Sequence, residues 1–274
     1  MAAGREPVLQ FVDVTVRFYD DVALEHVSFE LDRGETLVIL GAAGAGKTVL
    51  LKTALGLIRP SEGRVEVFGR DITRLKEEEL FELRGKMGML FQEGGLFDSL
   101  TIEENVAYPL LNRQRGQRPA RQEARELVEK SLSFVELEHT LEKFPSELSG
   151  GMRRRVGIAR AIVTEPPLVL YDSPTAGLDP ITANTIIALV VKERDLKHTT
   201  TVMVTHRYQD GHLMANYRFD AASGRLEPAG SDGAALTTRF MVLREGRVVF
   251  EGGERDLGNT SDPYVSKFYK RLSE

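Results

Sequence analysis

Short segments of apolar residues, separated by turn-forming residues, open the chain. Residues 8–18 and 27–31 are rich in apolar side chains, and turn residues follow them at 20–21 and 32–34. This pattern predicts a small antiparallel sheet. The apolar run at 36–40 then predicts a further strand.

Helical spacing dominates the middle of the chain. Apolar residues recur with a helical period at 49–57 and 75–83, and the pattern from 101 to about 164 is almost wholly helical. Residues 64–68 alternate like a strand, and 88–91 predict another. The sequence therefore predicts a helical subdomain, at about 95–164, inserted into a domain that also contains a sheet.

Strands and helices alternate in the second half of the chain. The predicted strands 167–171 and 200–204 are separated by a predicted helix at 180–194. This is the order of a parallel α/β sheet, so the sheet and the helical segment belong to one folding unit.

The end of the chain predicts a hairpin and then a short helix. Predicted strands at 240–244 and 247–251 flank a two-residue turn, and the spacing at 264–272 is amphipathic. We therefore assign residues 7–252 to one domain and 253–274 to a C-terminal helical extension.

Composition narrows the class of protein. The 274 residues carry a formal net charge of −5 with both signs interspersed, so no basic field favours a nucleic-acid partner. The absence of cysteine excludes disulfides and cysteine metal sites and fits a reducing compartment. Because no apolar run is long enough to span a membrane and the N-terminus is polar, we expect any membrane role to depend on docking to another chain.

The segment at 41–48 carries the clearest chemistry. It reads Gly-Ala-Ala-Gly-Ala-Gly-Lys-Thr, between a predicted strand and a predicted helix. Glycines let successive backbone N–H groups curl around a phosphate chain. Lys47 can reach the β- and γ-phosphates, and the Thr48 hydroxyl can ligate Mg²⁺. The loop therefore predicts a nucleoside triphosphate site.

Two further segments fit such a site. A strand ends in Asp172, where a parallel strand delivers its last residue to the ligand crevice, and this carboxylate can hold Mg²⁺ opposite Thr48. Ser149 precedes two glycines and a helix, so it is a natural N-cap beside N–H groups that attract phosphate. The alternatives are a strand that merely ends in an acid and a plain helix cap.

Six motifs in this order resemble those of the ATP-binding cassette ATPases. They are the Walker A loop at 41–48, Gln92, the signature at 148–152, the Walker B residue Asp172, the segment 176–179, and His206. The resemblance covers essentially the whole chain. It implies an α/β fold, namely a P-loop NTPase core of RecA type with an N-terminal antiparallel β subdomain and an inserted α-helical signature subdomain. It also implies a head-to-tail dimer that encloses two ATP molecules.

The resemblance also assigns roles to residues. Those implied to bind ATP are Phe18 or Tyr19 on adenine, Gly41, Ala42, Ala43, Gly44, Ala45, Gly46, Lys47, Thr48, Val49, Ser149, Gly150, Gly151 and Asp179. Those implied to hold Mg²⁺ are Thr48, Gln92 and Asp172. The signature residues would reach ATP held by the partner subunit. His206 would contact the γ-phosphate and stabilise developing charge, and the alternative for such a histidine is a polar role at the surface. The implied catalytic positions are His206, Gln92 and Ser173.

Position 173 departs from the family pattern. Active members carry a glutamate after the Walker B aspartate to polarise the attacking water, and this chain has Ser173. A serine hydroxyl orients water but is a poor base at neutral pH, so we predict tight ATP binding with hydrolysis slowed on the order of a hundredfold or more. Two alternatives stay open. A different partner subunit could carry an intact glutamate, or His206 and Asp179 could suffice for turnover.

Two smaller departures concern the phosphate loop and an insertion. Ala43 and Ala45 stand where many relatives have serine, which removes hydroxyls and leaves the backbone cradle intact. Residues at about 220–238 add a segment rich in Gly, Ala and Ser, for which an exposed loop or a small hairpin is the simplest interpretation.

Within the family, several segments resemble the ATPases of Mla and Mce lipid transporters. They are 91–101, 104–110, 148–155, 174–181 and 261–268. The resemblance implies an integral-membrane permease as partner, a second ABC ATPase subunit in a homo- or heterodimer, phospholipid as cargo, and a peripheral position on the cytoplasmic face of the inner membrane. A coupling helix of the permease would sit beside residues 92–100, although Leu96 and Phe97 fit a subdomain core equally well.

Two other functions fit the same fold. A soluble cassette ATPase acting on DNA or ribosomes usually carries long coiled-coil insertions or two cassettes, and this sequence has neither. A hydrolysis-deficient regulatory cassette, suggested by Ser173, would close on ATP and rarely hydrolyse it.

Overall fold

The chain folds into sheets, a group of helices and a C-terminal tail, and the computed structural model describes residues 7–112, 118–229 and 238–270 of it. In chain order the strands are β1 (Leu9–Phe18), β2 (Asp21–Leu31), β3 (Thr36–Gly41), β4 (Glu62–Val67), β5 (Arg70–Asp71), β6 (Met87–Leu90), β7 (Leu168–Asp172), β8 (Thr200–Thr205), β9 (Tyr217–Asp220), β10 (Arg225–Pro228), β11 (Thr238–Arg244) and β12 (Arg247–Gly252). The helices are α1 (Lys47–Ala54), α2 (Glu77–Arg84), α3 (Ile102–Leu111), α4 (Arg121–Phe134), α5 (Gly150–Ile162), α6 (Pro180–Lys197), α7 (Tyr208–Asn216), α8 (Glu254–Gly258) and α9 (Pro263–Lys270). The polar N-terminus, residues 1–6, and the end of the helix predicted to reach 272 lie outside the described residues.

The larger sheet has the order β12-β11-β3-β8-β7-β6 within the described part of the chain. The strands from β11 to β6 pair in parallel, and β12 pairs antiparallel with β11. Both faces are covered, because Val38 and Leu40 of β3 enter one core whereas Leu37 and Ile39 enter another. Strands buried on both faces read as continuous apolar runs. The predictions of a parallel sheet and of a final hairpin are confirmed.

The smaller sheet is antiparallel and has the order β2-β1-β4-β5. The rings of Phe11 and Phe29 stack across β1 and β2 with centroids 4.7 Å apart. Leu9 and Leu24 share a core with Leu37 of the larger sheet. The predicted N-terminal antiparallel sheet is therefore confirmed, and it is joined to the larger sheet by a common core.

Helices α3, α4 and α5 pack together in the span predicted to be helical, of which residues 113–117 lie outside the described ranges. Val128 of α4 and Val156 of α5 belong to the core on the same face of the larger sheet. Thr101 caps α3, and Ser149 caps α5 by accepting a hydrogen bond from the backbone N–H of Met152 at 3.2 Å. These caps satisfy N–H groups that a helix start leaves unpaired, and the predicted cap at Ser149 is confirmed.

Several predicted helix boundaries were wrong by a few residues, among them those of α2 and α6, which were predicted at 75–83 and 180–194. Two others have a clear structural reason. The helix expected at 49–57 runs from Lys47 to Ala54, because the left-handed Gly46 (φ 98°) is its N-cap. A left-handed Gly56 (φ 65°) follows its end, so residue 57 lies beyond the helix. The helix expected after the signature begins at Gly150, since the Ser149 cap lets both glycines join its first turn. The spacing of apolar residues cannot locate a helix end whose residues lack apolar side chains.

The inserted segment forms a small hairpin in its described part. Strands β9 and β10 pair antiparallel, and residues 230–237 lie outside the described ranges. The hairpin is fixed to α6, because the Asp195 carboxylate accepts a hydrogen bond from the backbone N–H of Phe219 at 2.8 Å. None of the helices in the described ranges is long and apolar enough to cross a membrane.

Candidate functional site

The phosphate loop joins β3 to α1 at one end of the larger sheet. Gly46 has a φ of 98°, and a Cβ there would lie 2.5 Å from the carbonyl oxygen of Ala23, so the turn requires glycine. The first turn of α1 has no acidic residue and no side-chain cap. Its backbone N–H groups, together with the positive end of the helix dipole, therefore form a site suited to an anion.

Lys47 reaches back over this loop. Its Nζ donates hydrogen bonds to the carbonyl oxygens of Gly41 at 2.9 Å and of Ala42 at 2.8 Å. Burial lowers the pKa of Lys47 below its usual value, and the Asp172 carboxylate opposes that shift. The ammonium group is thus held at the loop by two backbone carbonyl oxygens.

Asp172 joins the loop to the end of β7. One carboxylate oxygen, Oδ2, accepts a hydrogen bond from the Thr48 hydroxyl at 2.9 Å, and the other, Oδ1, accepts one from the Ser173 hydroxyl at 3.1 Å. Asp172 is 3% exposed. Mg²⁺ prefers oxygen ligands and is usually held by one or two carboxylates together with phosphates and water. The donor set of Thr48 and Asp172 therefore fits Mg²⁺, and Gln92 lies at the same cavity.

A cavity of about 610 Å³ lies over these residues. Its lining consists of Ala42, Ala43, Gly44, Lys47, Thr48, Gln92, Ser173, Ala176, His206, Tyr264, Lys267 and Phe268. The fold thus brings the phosphate loop, Gln92, Ser173 and His206 to one place from four separate parts of the chain. Its volume is in the range of small-molecule sites.

His206 is exposed at the end of β8, and a buried acid fixes the turn that carries it. Asp210 accepts hydrogen bonds from the hydroxyls of Thr205 at 2.7 Å and Thr175 at 2.6 Å. Burial raises the pKa of Asp210, and the two hydroxyl hydrogen bonds oppose the rise. Thr175 follows Ser173 by two residues. Asp210 therefore fixes the position of the turn that carries His206 relative to the segment that carries Ser173.

Three residues of the cavity were not in the predicted site, namely Tyr264, Lys267 and Phe268 of α9. The Tyr264 hydroxyl accepts a hydrogen bond from the backbone N–H of Ala42 at 3.2 Å and donates one to the carbonyl oxygen of Leu243 at 3.1 Å. The amphipathic spacing of the tail predicted a helix. Spacing alone does not indicate where a helix docks, so no signal of this kind could have placed α9 at the phosphate loop.

Other predicted residues lie away from this cavity. Gly150 lines a second cavity, of about 440 Å³, together with Gln92 and Arg154. Asp179 is exposed and caps α6, and hydrogen bonds from Thr182 and Ile181 lower its pKa. The two cavities share Gln92 and Ala176, but neither Asp179 nor the signature residues Ser149, Gly150 and Gly151 are among the residues that line the first one.

The aromatic residues at the end of β1 also lie outside the lining of the first cavity, as far as the described residues define it. Phe18 is 43% exposed, and Tyr19 is fully exposed in the turn that follows. Both rings are open to solvent and free to contact a flat ligand. Val49 lies in the first turn of α1, where its backbone N–H faces the loop end of the helix.

Comparison with known families agrees with this geometry. A family model described as ABC transporter matches residues 24–176. The chain belongs to the ABC transporter family. Among solved structures, a dimeric bacterial ABC transporter cassette has a TM-score of 0.74 and 31% identity, covering 89% of this chain and 97% of that one. The cbiO1 protein of Clostridium perfringens, part of an ABC transporter complex, has a TM-score of 0.73 and 26% identity, covering 97% of this chain and 94% of that one. The expected α/β cassette fold is therefore confirmed.

Curated ABC transporter relatives carry different cargo names. The methionine import ATP-binding protein MetN of Rhizobium etli is 40% identical over 231 residues, which are 83% of this chain and 62% of that protein. The intermembrane phospholipid transport system ATP-binding protein MlaF of Haemophilus influenzae is 34% identical over 249 residues, 91% of this chain and 92% of that protein. The probable ribonucleotide transport ATP-binding protein mkl of Mycobacterium leprae is 37% identical over 206 residues, 74% and 58% of the two chains. Identity alone therefore does not select the cargo.

Proposed function

We propose that this chain is the ATP-binding subunit of a lipid transporter of the Mla and Mce type. ATP would bind with Mg²⁺ at the first cavity, close a dimer and be hydrolysed slowly, and closure would drive an integral-membrane permease. The observation that carries the proposal is the first cavity itself, where Lys47, Thr48, Gln92 and His206 meet over the N-terminus of α1.

The triphosphate would lie along the loop at 41–49. Backbone N–H groups of the loop and of the first turn of α1 would bind the phosphates, and Lys47 would exchange its two carbonyl partners for phosphate oxygens. Thr48 and Asp172 would hold Mg²⁺, which neutralises charge on the β- and γ-phosphates. The exposed ring of Phe18, or that of Tyr19, would stack on the adenine.

Hydrolysis would be limited at Ser173. The Ser173 hydroxyl donates to the Asp172 carboxylate at 3.1 Å, so it is engaged with another side chain, and serine has no basic group at neutral pH. His206 lines the same cavity and is exposed there, and it would orient water and donate to the γ-phosphate. This arrangement favours ATP binding over rapid turnover.

The signature would act on a partner subunit. Ser149 caps α5 and Gly150 begins it, and Gly150 lines the second cavity and not that of the Walker A loop. N–H groups at this helix start would complete the ATP site of a second cassette, which is why two chains would be needed for closure. The dimeric solved relative at TM-score 0.74 supports this arrangement.

Cargo and permease are inferred from two observations. The alignment with MlaF extends over nearly all of both chains, whereas that with the Rhizobium etli MetN spans 62% of that protein. A groove of about 250 Å³ lies beside residues 92–100. It is lined by Phe91, Phe97 and Tyr108, and 38–43% of the surface of each of these residues is exposed. Exposed aromatic side chains gathered in a groove suit a helix of another protein. Phe97 therefore fits the docking interpretation, whereas Leu96 packs against the core.

A comparison of ATP binding and ATPase rate tests the enzyme part. We expect MgATP to bind the purified chain and not its Lys47→Ala variant, measured by calorimetry. Ser173→Glu should raise the ATPase rate about a hundredfold at unchanged ATP affinity. Equal rates for the wild type and Ser173→Glu would refute the limiting role of position 173.

A second experiment tests cargo and partner. The chain should co-purify with a polytopic membrane protein, and Phe97→Asp together with Tyr108→Asp should abolish that association without loss of ATP binding. Reconstituted complexes should then move labelled phospholipid between vesicles in an ATP-dependent way. Stimulation of the ATPase by methionine instead of phospholipid would refute the lipid assignment.

A regulatory cassette is the second candidate, because the Ser173 hydroxyl is bound to Asp172. Such a cassette would close on ATP and remain closed. It is favoured if a reconstituted complex shows ATP-dependent dimerisation with no turnover in either subunit's site.

A further inference from the structure

Arg154 is a buried arginine whose hydrogen bonds are incomplete. It lies in α5, five residues after Ser149, and is 3% exposed. Its Nη2 donates to the carbonyl oxygen of Ala176 at 2.9 Å, whereas its Nε and Nη1 are buried without a partner among the described atoms. Unpaired buried donors on a charged group are unfavourable. An acceptor that approaches Arg154 would therefore be bound strongly.

Two carboxylates favour the charged form of Arg154. Burial lowers the pKa of Arg154, and the carboxylates of Glu93 and Asp172 oppose that shift, Glu93 more strongly. Asp172 is already bound to the hydroxyls of Thr48 and Ser173. Glu93 lines the same second cavity as Arg154, is exposed, and has a left-handed backbone (φ 60°) that a non-glycine residue rarely adopts. Asp98 lines this cavity as well, but of the two carboxylates it is Glu93 that acts on the charge of Arg154, so Glu93 is the one that can complete the pair.

The turn at 92–95 is fixed to α5. Arg160 donates to the carbonyl oxygen of Gly94 at 2.9 Å. A Cβ on Gly157 would lie 3.1 Å from the Cα of Gly94 and 2.6 Å from a methyl carbon of Leu90, so the two backbones are in close contact. A displacement of Gln92 would therefore be transmitted to α5 and not absorbed by loose packing.

We propose that Arg154 is a positioning residue that couples nucleotide occupancy to the signature helix. When Gln92 turns toward bound MgATP, Glu93 pairs with the free donors of Arg154. Arg154 then connects the turn at 92–95, the start of α5 and, through Ala176, the segment that leads from Asp172 to Asp179. ATP bound in the first cavity thereby sets the geometry of Ser149 to Gly151 at the start of α5. This inference rests on the proposed function, because it requires MgATP at the first cavity.

Hydrogen–deuterium exchange of the full chain, with and without MgATP, tests the coupling. In the wild type we expect MgATP to slow amide exchange at 41–49 and also at 150–157 and 174–179. In Glu93→Gln and in Arg154→Met we expect MgATP still to slow amide exchange at 41–49 and no longer to slow it at 150–157 and 174–179. Because one charged hydrogen bond is lost, exchange at these two segments with MgATP bound should be about tenfold faster than in the wild type. Arg154→Lys keeps a positive charge that can pair with Glu93, as well as a donor for the carbonyl oxygen of Ala176, so it should retain part of both responses.

Arg155→Gln is the matched control, since Arg155 follows on the same helix and donates to the carbonyl oxygen of Val135 at 3.1 Å, away from both cavities. It should respond as the wild type does. If Glu93→Gln, whose side chain is at the surface, keeps the full response at 150–157, the coupling role is refuted. A wild type that protects 41–49 but not 150–157 also refutes it. A wild type with no protection at 41–49 refutes the proposed function instead.

Discussion

Glu193 is a buried acid whose ionisation should make folding stability depend on pH. It lies in α6, is 2% exposed, and accepts a hydrogen bond from the Thr199 hydroxyl at 2.6 Å through Oε1. Its second oxygen, Oε2, has no partner among the described atoms. Burial raises the pKa of Glu193 from 4.5 to about 7, although the bond from Thr199 and the charge of Lys197 oppose the rise.

The sign of the effect follows from proton binding. Between pH 4.5 and about 7 the folded chain keeps a proton on Glu193 that the unfolded chain releases. Stability therefore falls as the pH rises through this window and is constant above it. Because a tenfold change in an equilibrium constant is about 1.4 kcal/mol, the full effect is on the order of 3 kcal/mol.

Glu193→Gln removes the charge and keeps an acceptor for Thr199. We expect the free energy of unfolding of the variant, relative to the wild type, to increase by about 2–3 kcal/mol between pH 5 and pH 8. Urea unfolding followed by circular dichroism at half-unit pH steps measures it, and other titrating groups cancel in the difference. A difference that is flat, or that falls with pH, would refute the assignment of the neutral buried carboxyl.

Three further predictions test other parts of the structure. Glu165 accepts hydrogen bonds from Lys197 at 2.8 Å and Lys130 at 2.9 Å, which lower its pKa to about 2. Because its side chain is half exposed, we expect these bonds to add only about 1 kcal/mol to the free energy of unfolding, present above pH 4.5 and lost as the pH falls toward 2. The stabilities of Glu165→Gln and the wild type, measured by urea unfolding, should therefore converge in acid, and a difference that does not change with pH would contradict this. Gly46→Ala forces a Cβ against the carbonyl oxygen of Ala23 and should weaken ATP binding, measured by calorimetry, about tenfold or more. The control Ala43→Ser should bind ATP as the wild type does, and equal ATP affinities of Gly46→Ala and the wild type would contradict the need for glycine. Tyr264→Phe removes the hydroxyl that joins Ala42 to Leu243 and should speed amide exchange at 263–270 about tenfold. The control Tyr269→Phe should not speed it, and unchanged exchange in Tyr264→Phe would show that the contact does not hold α9.

Much of the fold could be predicted from the sequence because its elements differ in period. The apolar runs of β3 and β7, together with the alternation of strands and helices, indicated a parallel sheet, and α4 showed the 3.6-residue spacing of a helix packed on one side. The prediction that Thr48 and Asp172 lie close together also followed from local order, since Asp172 ends one parallel strand and the loop leading to Thr48 follows the carboxyl end of another. Their side chains are in hydrogen-bond contact.

Contacts between distant segments could not be predicted in this way. The left-handed cap at Gly46 depends on a carbonyl of β2, and the unpaired donors of Arg154 depend on how α5 meets Ala176. In the sequence, Arg154 is one of three consecutive arginines, and nothing in their order distinguishes the buried one. Such features arise from packing of elements far apart in the chain, about which periodicity carries no information.

A half-buried acid on α8 links the C-terminal tail to the segment that follows His206. Glu254, at the start of α8, accepts a hydrogen bond from the Tyr208 hydroxyl, and its other oxygen accepts one from Asn216. Tyr208 begins α7, two residues after His206, and its ring meets that of Tyr269 on α9 edge-on with centroids 5.1 Å apart. The segment that follows His206 and the helix that covers the phosphate loop therefore pack as one unit. A nucleotide entering the first cavity would contact both sides of that unit, so a shift at either side would be transmitted to the other through packed rings and not through solvent.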